Sequence, residues 1–284
     1  MLRTPGDPPT REDGDMNGEG AQETALTGGG RSTVTRNGDI VFRETGPWAP
    51  SVHALLRHLE HGGFTAAPRV VGTGFDVKGR ETLTYVEGSF VHPHAWSDDG
   101  IAAIGRMLRT LHEATSTFQP PANAIWREWF GRQLDGGGRR VFGHCDVGPW
   151  NIVARDGSPI AFIDWEVAGP VDALVEFAQA CWLNAQLHDD DVAERQGLPT
   201  ADARARQVRL MADSYGLGPR ERSALVDTMV AYAIHDAADQ AIGVPVTPET
   251  TDATPLWGLA WRARSAAWML RNRRLIERVL LKRA

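Results

Sequence analysis

Only two cysteines, Cys145 and Cys181, occur in the 284 residues of the chain. That excludes a disulfide-stapled scaffold and fits a reducing compartment, so the expected location is cytoplasmic. Lysine is nearly missing as well: of 30 Lys plus Arg, only Lys78 and Lys282 are lysine. Any fixed cation must therefore come from arginine, a two-pronged fork and not a point charge. No uninterrupted apolar run approaches the roughly 20 residues needed to cross a bilayer. The first residues are rich in Gly, Pro, Asp and Glu and do not form a signal-peptide pattern. A net charge of −6 excludes bulk electrostatic attraction to nucleic acid. What remains is an ordinary globular composition, 42% hydrophobic and 23% charged, long enough for one large domain or two packed lobes.

Residues 1–24 are poor in apolar side chains and read as a disordered segment. Gly28-Gly29-Gly30-Arg31-Ser32 follows, leading into a hairpin predicted as strands 33–36 and 39–43 around an Asn37-Gly38 turn. Such a glycine-rich turn either lays backbone N–H groups over phosphates or serves as a linker. Ser51 is the expected cap of a helix carrying Val52, Leu55, Leu56 and Leu59 at helical spacing. Residues 69–72 and 82–86 read as two more strands, with Lys78 solvated in the loop between them. Ser97 with Asp98 and Asp99 opens a second helix, whose Ile101, Ile104, Leu108 and Leu111 share one face. Residues 119–140 are loop-rich, with a short helical piece at 126–134. Further helices are predicted over 172–186, 200–215, 219–242 and 254–281. The last has eight basic residues from Arg262 to Arg283 against one acid, Glu277. Trp261, Trp268, Leu275 and Val279 run between them, so a packed apolar stripe with a solvated arginine face is expected.

The densest chemistry lies at His144-Cys145-Asp146-Val147-Gly148-Pro149-Trp150-Asn151. The apolar pairs Val141-Phe142 and Ile152-Val153 flank it, and after an Asp156-Gly157 turn the run Ile160–Ile163 ends on Asp164. Asp146, Asn151 and Asp164 thus fall at or beside the ends of short strands. Two carboxylates and an amide suit a hard cation with phosphate partners, or one carboxylate orients a hydroxyl for attack on phosphorus. His-x-Asp, an Asn five residues after the Asp, and a second Asp thirteen residues later is the order and spacing of a kinase catalytic loop and its metal ligands.

In detail the stretch resembles the aminoglycoside phosphotransferase family. His144-Cys145-Asp146 stands where a protein kinase has His-Arg-Asp, and Ile163-Asp164-Trp165-Glu166 where it has Asp-Phe-Gly. The resemblance covers roughly residues 25–280 and is most specific over 141–166. It implies an α+β, two-lobed, protein-kinase-like fold. Residues 25–88 would form a small antiparallel-sheet lobe that binds nucleotide, and 89–284 a mainly helical lobe with the catalytic loop and acceptor site. The implied activity is transfer of the γ-phosphate of ATP or GTP to a hydroxyl of a small molecule such as an aminoglycoside or other alcohol. Asp146 would be catalytic, and Asn151 and Asp164 would hold Mg²⁺. Gly28, Gly29, Gly30, Arg31 and Ser32 with Arg43 would hold the phosphates, and the backbone of Tyr85, Val86 and Glu87 the adenine. His144 would support the loop by hydrogen bonds. No nucleic-acid or membrane partner is expected, and the protein is a monomer or homodimer in this reading.

Two departures from the pattern favour a rival, a catalytically degenerate kinase fold that only binds a nucleotide or metabolite. Arg43 replaces the usual Lys, and the first helix offers Val52-His53 where an acid should pair with that cation; His53 either substitutes as a hydrogen-bond partner or, as the commoner case, lies at the surface. Against the rival, Asp146, Asn151 and Asp164 are all present. A protein-Ser/Thr kinase is disfavoured, because there is no Asp-Phe-Gly or Ala-Pro-Glu and no room for an activation loop after Asp164. Glu166, Asp172, Glu176 and Asp189–Asp191 follow the catalytic stretch as candidate receivers of a cationic acceptor, or equally as helix-start and solvated charges.

Overall fold

The computed structural model describes residues 23–26 and 34–282; Gly28, Gly29, Gly30, Arg31 and Ser32 lie outside the described residues, as does the segment 1–22. Thr24, expected within a disordered stretch, is instead paired: Thr24–Ala25 (β1) lies against Val34–Asn37 (β2). β2 turns back into Ile40–Arg43 (β3), with Asn37 opposite Ile40. The two-residue loop is therefore Gly38-Asp39, one position later than expected, with Gly38 at φ +57° as such hairpins require. Ala49–His61 (α1) follows. Trp48 precedes it, and Ser51 is not its cap: that hydroxyl lies inside the first turn and accepts Ile125 N at 2.8 Å. Val70–Phe75 (β4) and Glu81–Thr84 (β5) complete an antiparallel sheet of order β1-β2-β3-β5-β4. Lys78 is exposed in the β4–β5 turn, as expected. Val52, Leu55, Leu56 and Leu59 of α1 are buried with Leu83 of the sheet in the common core.

The remainder is mainly helical. Asp98–Ala114 (α2) is capped by the Ser97 hydroxyl, which accepts Gly100 N at 3.1 Å. In the loop-rich stretch only Phe130–Gln133 is helical, as one 3₁₀ turn. Arg140–Gly143 (β6) leads into the catalytic stretch, and Ile152–Arg155 (β7) with Ser158–Phe162 (β8) forms the expected hairpin. Gly169–Asp172 (β9) is a strand paired with β6, so the helix expected from residue 172 starts one residue later. Ala173–Asn184 (α3) is buried along its whole length. A helix apolar on every side must sit at the centre of a domain. Around it stand Asp190–Gln196 (α4), Ala201–Tyr215 (α5), Pro219–Gly243 (α6), Ala253–Arg271 (α7) and Arg273–Leu280 (α8). Among the described residues no helix is long and apolar enough to cross a membrane.

Two expectations fail together. Residues 254–281 are not one helix: at Asn272 the side-chain amide and the backbone N–H both donate to Trp268 O, at 3.1 and 2.9 Å. An amide competing with the helical ladder in this way ends it. Nor is Asp189–Asp191 a solvated loop. Asp189 caps α4, Arg264 donates to Asp189 at 3.0 Å and also pairs with Asp191, Arg271 pairs with Asp189, and Trp268 Nε1 donates to Asp190 at 2.7 Å. The acidic run and the arginine face meet each other.

At the head of α3, Asp172 Oδ1 accepts Leu174 N at 2.8 Å and Val175 N at 3.2 Å, while Oδ2 accepts Gly138 N at 2.9 Å. Replacing a capping acid leaves such amides unpaired. Asp172→Ala is therefore expected to cost about 1–2 kcal/mol, read as a lowered urea midpoint at unchanged slope.

Candidate active site

The catalytic stretch leaves β6 at Gly143 and immediately turns left-handed: Cys145 has φ +68°. A non-glycine residue there must be held in place by its surroundings. Glu176 of α3 provides the hold. Its carboxylate is fully buried, accepting Cys145 N at 2.6 Å on Oε1 and meeting His112 Nε2 of α2 at 2.6 Å on Oε2. His112 Nδ1 in turn meets the Tyr215 hydroxyl of α5 at 2.7 Å. Burial alone would push this carboxyl up, but the His112 bond and charge and the Cys145 amide outweigh it and hold it below the usual range. The Cys145 thiol is buried and pushed well above its ordinary range, so it is a packing group and no nucleophile.

Asp146 stands at the mouth of this turn. Its Oδ2 accepts Asn151 Nδ2 at 2.8 Å, and the same amide bonds the Asp146 carbonyl at 3.0 Å. Gln179 Nε2 of α3 approaches Oδ1 at 3.4 Å while Gln179 Oε1 accepts Val147 N at 3.1 Å. Burial first, then the negative charge of Asp164, raises the Asp146 carboxyl to about 7. His144 fastens the two halves of the site: Asp146 N donates to Nδ1 at 3.2 Å, and Nε2 bonds Ile163 O at 2.8 Å. That requires a neutral ring protonated at Nε2, and burial does lower the pKa of this imidazole.

Asn151 and Asp164 are neighbours through backbone, since Ile163 N donates to Asn151 O at 2.9 Å just beyond the β7–β8 ladder. Asp164 is also left-handed, at φ +64°, with its side chain half exposed. Arg43 Nη1 donates to its Oδ1 at 2.5 Å. Because Asn151 spends its N–H₂ on Asp146, its Oδ1 is the side-chain atom that could serve as a ligand. One amide oxygen and one carboxylate suit Mg²⁺ that takes its other ligands from phosphates and water. Among the described residues no group of three or more His, Cys, Asp or Glu could hold a metal ion by itself.

The remaining expected residues are placed as follows. Arg43 ends β3 and is largely buried. Tyr85, Val86 and Glu87 run on from β5, but Tyr85 N donates to Asp39 O at 2.7 Å and its ring lies 3.6 Å beneath the Arg36 guanidinium. The Tyr85 amide is thus spent within the sheet, which leaves Val86 and Glu87 for an adenine edge. His53 is not at the surface. It is buried, with Nε2 2.8 Å from Glu81 Oε1, and Arg43 Nε bonds the other oxygen of Glu81. Glu81 and Gln179 escaped the sequence reading, in which His53 lies at the surface as the commoner case. Counting across the sheet would have found Glu81, which stands directly opposite Arg43 in the β3–β5 register.

A small antiparallel sheet with one helix, joined to a helical half that presents an Asp–Asn–Asp loop, defines a kinase-like phosphotransferase. The model of the phosphotransferase enzyme family to which aminoglycoside phosphotransferases belong matches residues 117–209, and the chain belongs to that family. Over 258 residues it is 60% identical to the trifolitoxin immunity protein of Rhizobium leguminosarum bv. trifolii, spanning 91% of this chain and 98% of that one. Among solved structures it shares its fold with an amicoumacin kinase in complex with AMP-PNP, Ca²⁺ and Ami (TM-score 0.65, 14% identity, 87% of each chain). A choline/ethanolamine kinase family protein from Mesorhizobium loti gives a TM-score of 0.56 at 17% identity, over 92% of this chain and 93% of that one.

Gly143 is where the loop touches Glu176 most closely: a Cβ there would overlap the Glu176 carboxylate. Gly143→Ala should therefore destabilise the fold by about 1–3 kcal/mol, the usual cost of overpacking. It should also displace Glu176 and lower turnover by more than the loss of folded protein explains. Thermal melts and single-turnover rates on the same preparation separate the two effects.

Proposed function

We propose that the protein transfers the γ-phosphate of ATP or GTP to a hydroxyl of a small molecule, with Asp146 as the group that orients that hydroxyl and takes its proton. The observation that carries this reading is the Asn151 amide pinned to Asp146. The bond in this reading fixes the carboxylate for the acceptor and leaves the Asn151 oxygen for the metal. In this reading Asn151 and Asp164 hold Mg²⁺, whose contribution is to neutralise charge building on the phosphates. Arg43 and residues 28–32 hold the phosphates, and the backbone of Val86 and Glu87 receives the base. The reaction draws on cytoplasmic nucleotide.

The acceptor is proposed from the relative. A protein 60% identical is named for immunity to trifolitoxin, so the acceptor class is a hydroxyl-bearing toxin, disabled by the charge that a phosphoryl group adds. Immunity by simple capture of the toxin is the second reading, and the same experiment divides them. The protein is incubated with Mg²⁺, ATP or GTP and a panel of toxins, amino sugars and simple alcohols, trifolitoxin included. Gain of one phosphoryl mass by an acceptor supports transfer, whereas tight binding with unchanged mass supports capture.

Two variants test the roles. Asp146→Asn keeps shape and removes the proton acceptor, so turnover should drop by roughly a hundredfold or more while nucleotide affinity holds. Full activity in this variant would refute the mechanism. Asp164→Ala should lose the Mg²⁺-dependent part of nucleotide binding with little loss of fold, because its side chain is half exposed. Calorimetry with and without Mg²⁺ reads this directly, and an unchanged metal dependence would remove Asp164 from the site.

A further inference from the structure

Arg43 and the acid-free first helix look like two separate defects of a nucleotide site. The geometry joins them. Arg43 and Glu81 are direct cross-strand partners in the antiparallel β3–β5 pair. Cross-strand side chains on one face begin only about 5 Å apart, so a partner in that position sits beside the stem of residue 43 and not beyond its tip. Arginine has a donor at that level: Nε bonds Glu81 Oε2, and the fork then continues outward until Nη1 reaches Asp164 Oδ1 at 2.5 Å. Two of the five guanidinium donors are used in this way. A lysine carries its single nitrogen at the tip and cannot serve both stations at once.

Glu81 is itself fixed from the helix. It is 1% exposed, and its Oε1 meets His53 Nε2 at 2.8 Å. β4 is shaped to admit that imidazole. Gly74 has φ +96° and a Cβ there would overlap the His53 ring, while the Phe75 ring lies 4.9 Å away. A buried carboxylate held by two partners, with strand space cleared for one of them, is not an incidental surface pair.

We propose that Glu81, braced by His53, is the positioning residue for the phosphate-holding Arg43, and that moving the acid from α1 to β5 is what requires arginine at position 43. The helix still takes part, one bond further back. The inference rests on the nucleotide reading of the site given above. It makes the two departures one compensated change and removes the motive for the degenerate-fold reading.

The experiment is calorimetric titration with Mg²⁺ and AMP-PNP, and in parallel the guanosine counterpart, of the parent, Glu81→Gln, Arg43→Ala and the double variant. Glu81→Gln should weaken binding about tenfold, the scale of one charge-assisted hydrogen bond. In the Arg43→Ala background the same change should cost less than about twofold, because the residue it positions is gone. Arg43→Lys with Glu81 intact should stay weak, and adding His53→Glu with Glu81→Gln should recover affinity by placing the acid beyond a lysine tip. Equal penalties for Glu81→Gln in both backgrounds would make Glu81 merely structural and overturn the proposal, as would parent-like affinity in Glu81→Gln. A parent that binds neither nucleotide would instead bring down the nucleotide reading and this inference with it. Should Glu81→Gln melt far below the parent, His53→Gln repeats the cycle: it loosens the carboxylate without removing charge, and again a penalty confined to the Arg43 background is required.

Discussion

The site depends on one buried charge. Glu176 lies in the first turn of α3, where the helix dipole favours an anion, and every partner of its carboxylate comes from another element. It draws the backbone of Cys145 into the left-handed turn that aims Asp146, and it ties α2 and, through His112 and Tyr215, α5 to the same point. Removing one partner of a buried ion costs about 3–5 kcal/mol, because the orphaned groups stay out of water. The catalytic loop is therefore rigid at the expense of a carboxylate that does no chemistry itself. Gly143 is required for the same reason, since only a residue without a side chain passes so close to that carboxylate.

Arginine does much of the remaining work, as a chain almost without lysine demands. Arg132 is the clearest case. Its guanidinium donates to Val167 O at 2.7 Å, Ala168 O at 3.3 Å, Pro170 O at 3.2 Å and Arg127 O at 3.0 Å. A planar fork with five donors gathers carbonyls of the segment between Asp164 and α3 as no ammonium would. Gly169 lets the fork lie against the chain, since a Cβ there would meet Arg132 Nη1. The same reach explains Arg43, which bonds a strand neighbour with its stem nitrogen and a loop carboxylate with its tip.

What could be read from the sequence was local in the chain. The β7–β8 hairpin, the buried face of α2 and the Asp146–Asn151–Asp164 spacing each depend on residues a few positions apart, so periodicity and turn chemistry revealed them. What escaped was set by register or by tertiary pairing. Glu81 is separated from Arg43 by 38 positions and faces it only because β5 and not β4 lies beside β3. His53 looked like a surface residue because nothing near it in sequence shows that Gly74 leaves it a place. The arginines of α7 read as a solvated face, and Asp189–Asp191 as a solvated loop, for one shared reason: each was judged without the other.

That pairing bears on the acceptor. A cationic substrate would need unspent carboxylates near Asp146, and those that follow the catalytic stretch are committed. Glu166 pairs with Arg127, Asp172 caps α3, Glu176 holds the loop, and Asp189 and Asp191 are bridged by Arg264. Besides Asp164, the acid whose field reaches Asp146 is Asp236 of α6, and it accepts Arg262 Nε at 2.6 Å. On the same helix Tyr232 belongs to an aromatic group, with Phe130 5.0 Å and Trp129 6.1 Å from its ring. The likeness to a choline/ethanolamine kinase family protein is one of fold, and rings beside an ion pair bear on an acceptor in two ways, since aromatic faces pack apolar area and also attract a cation.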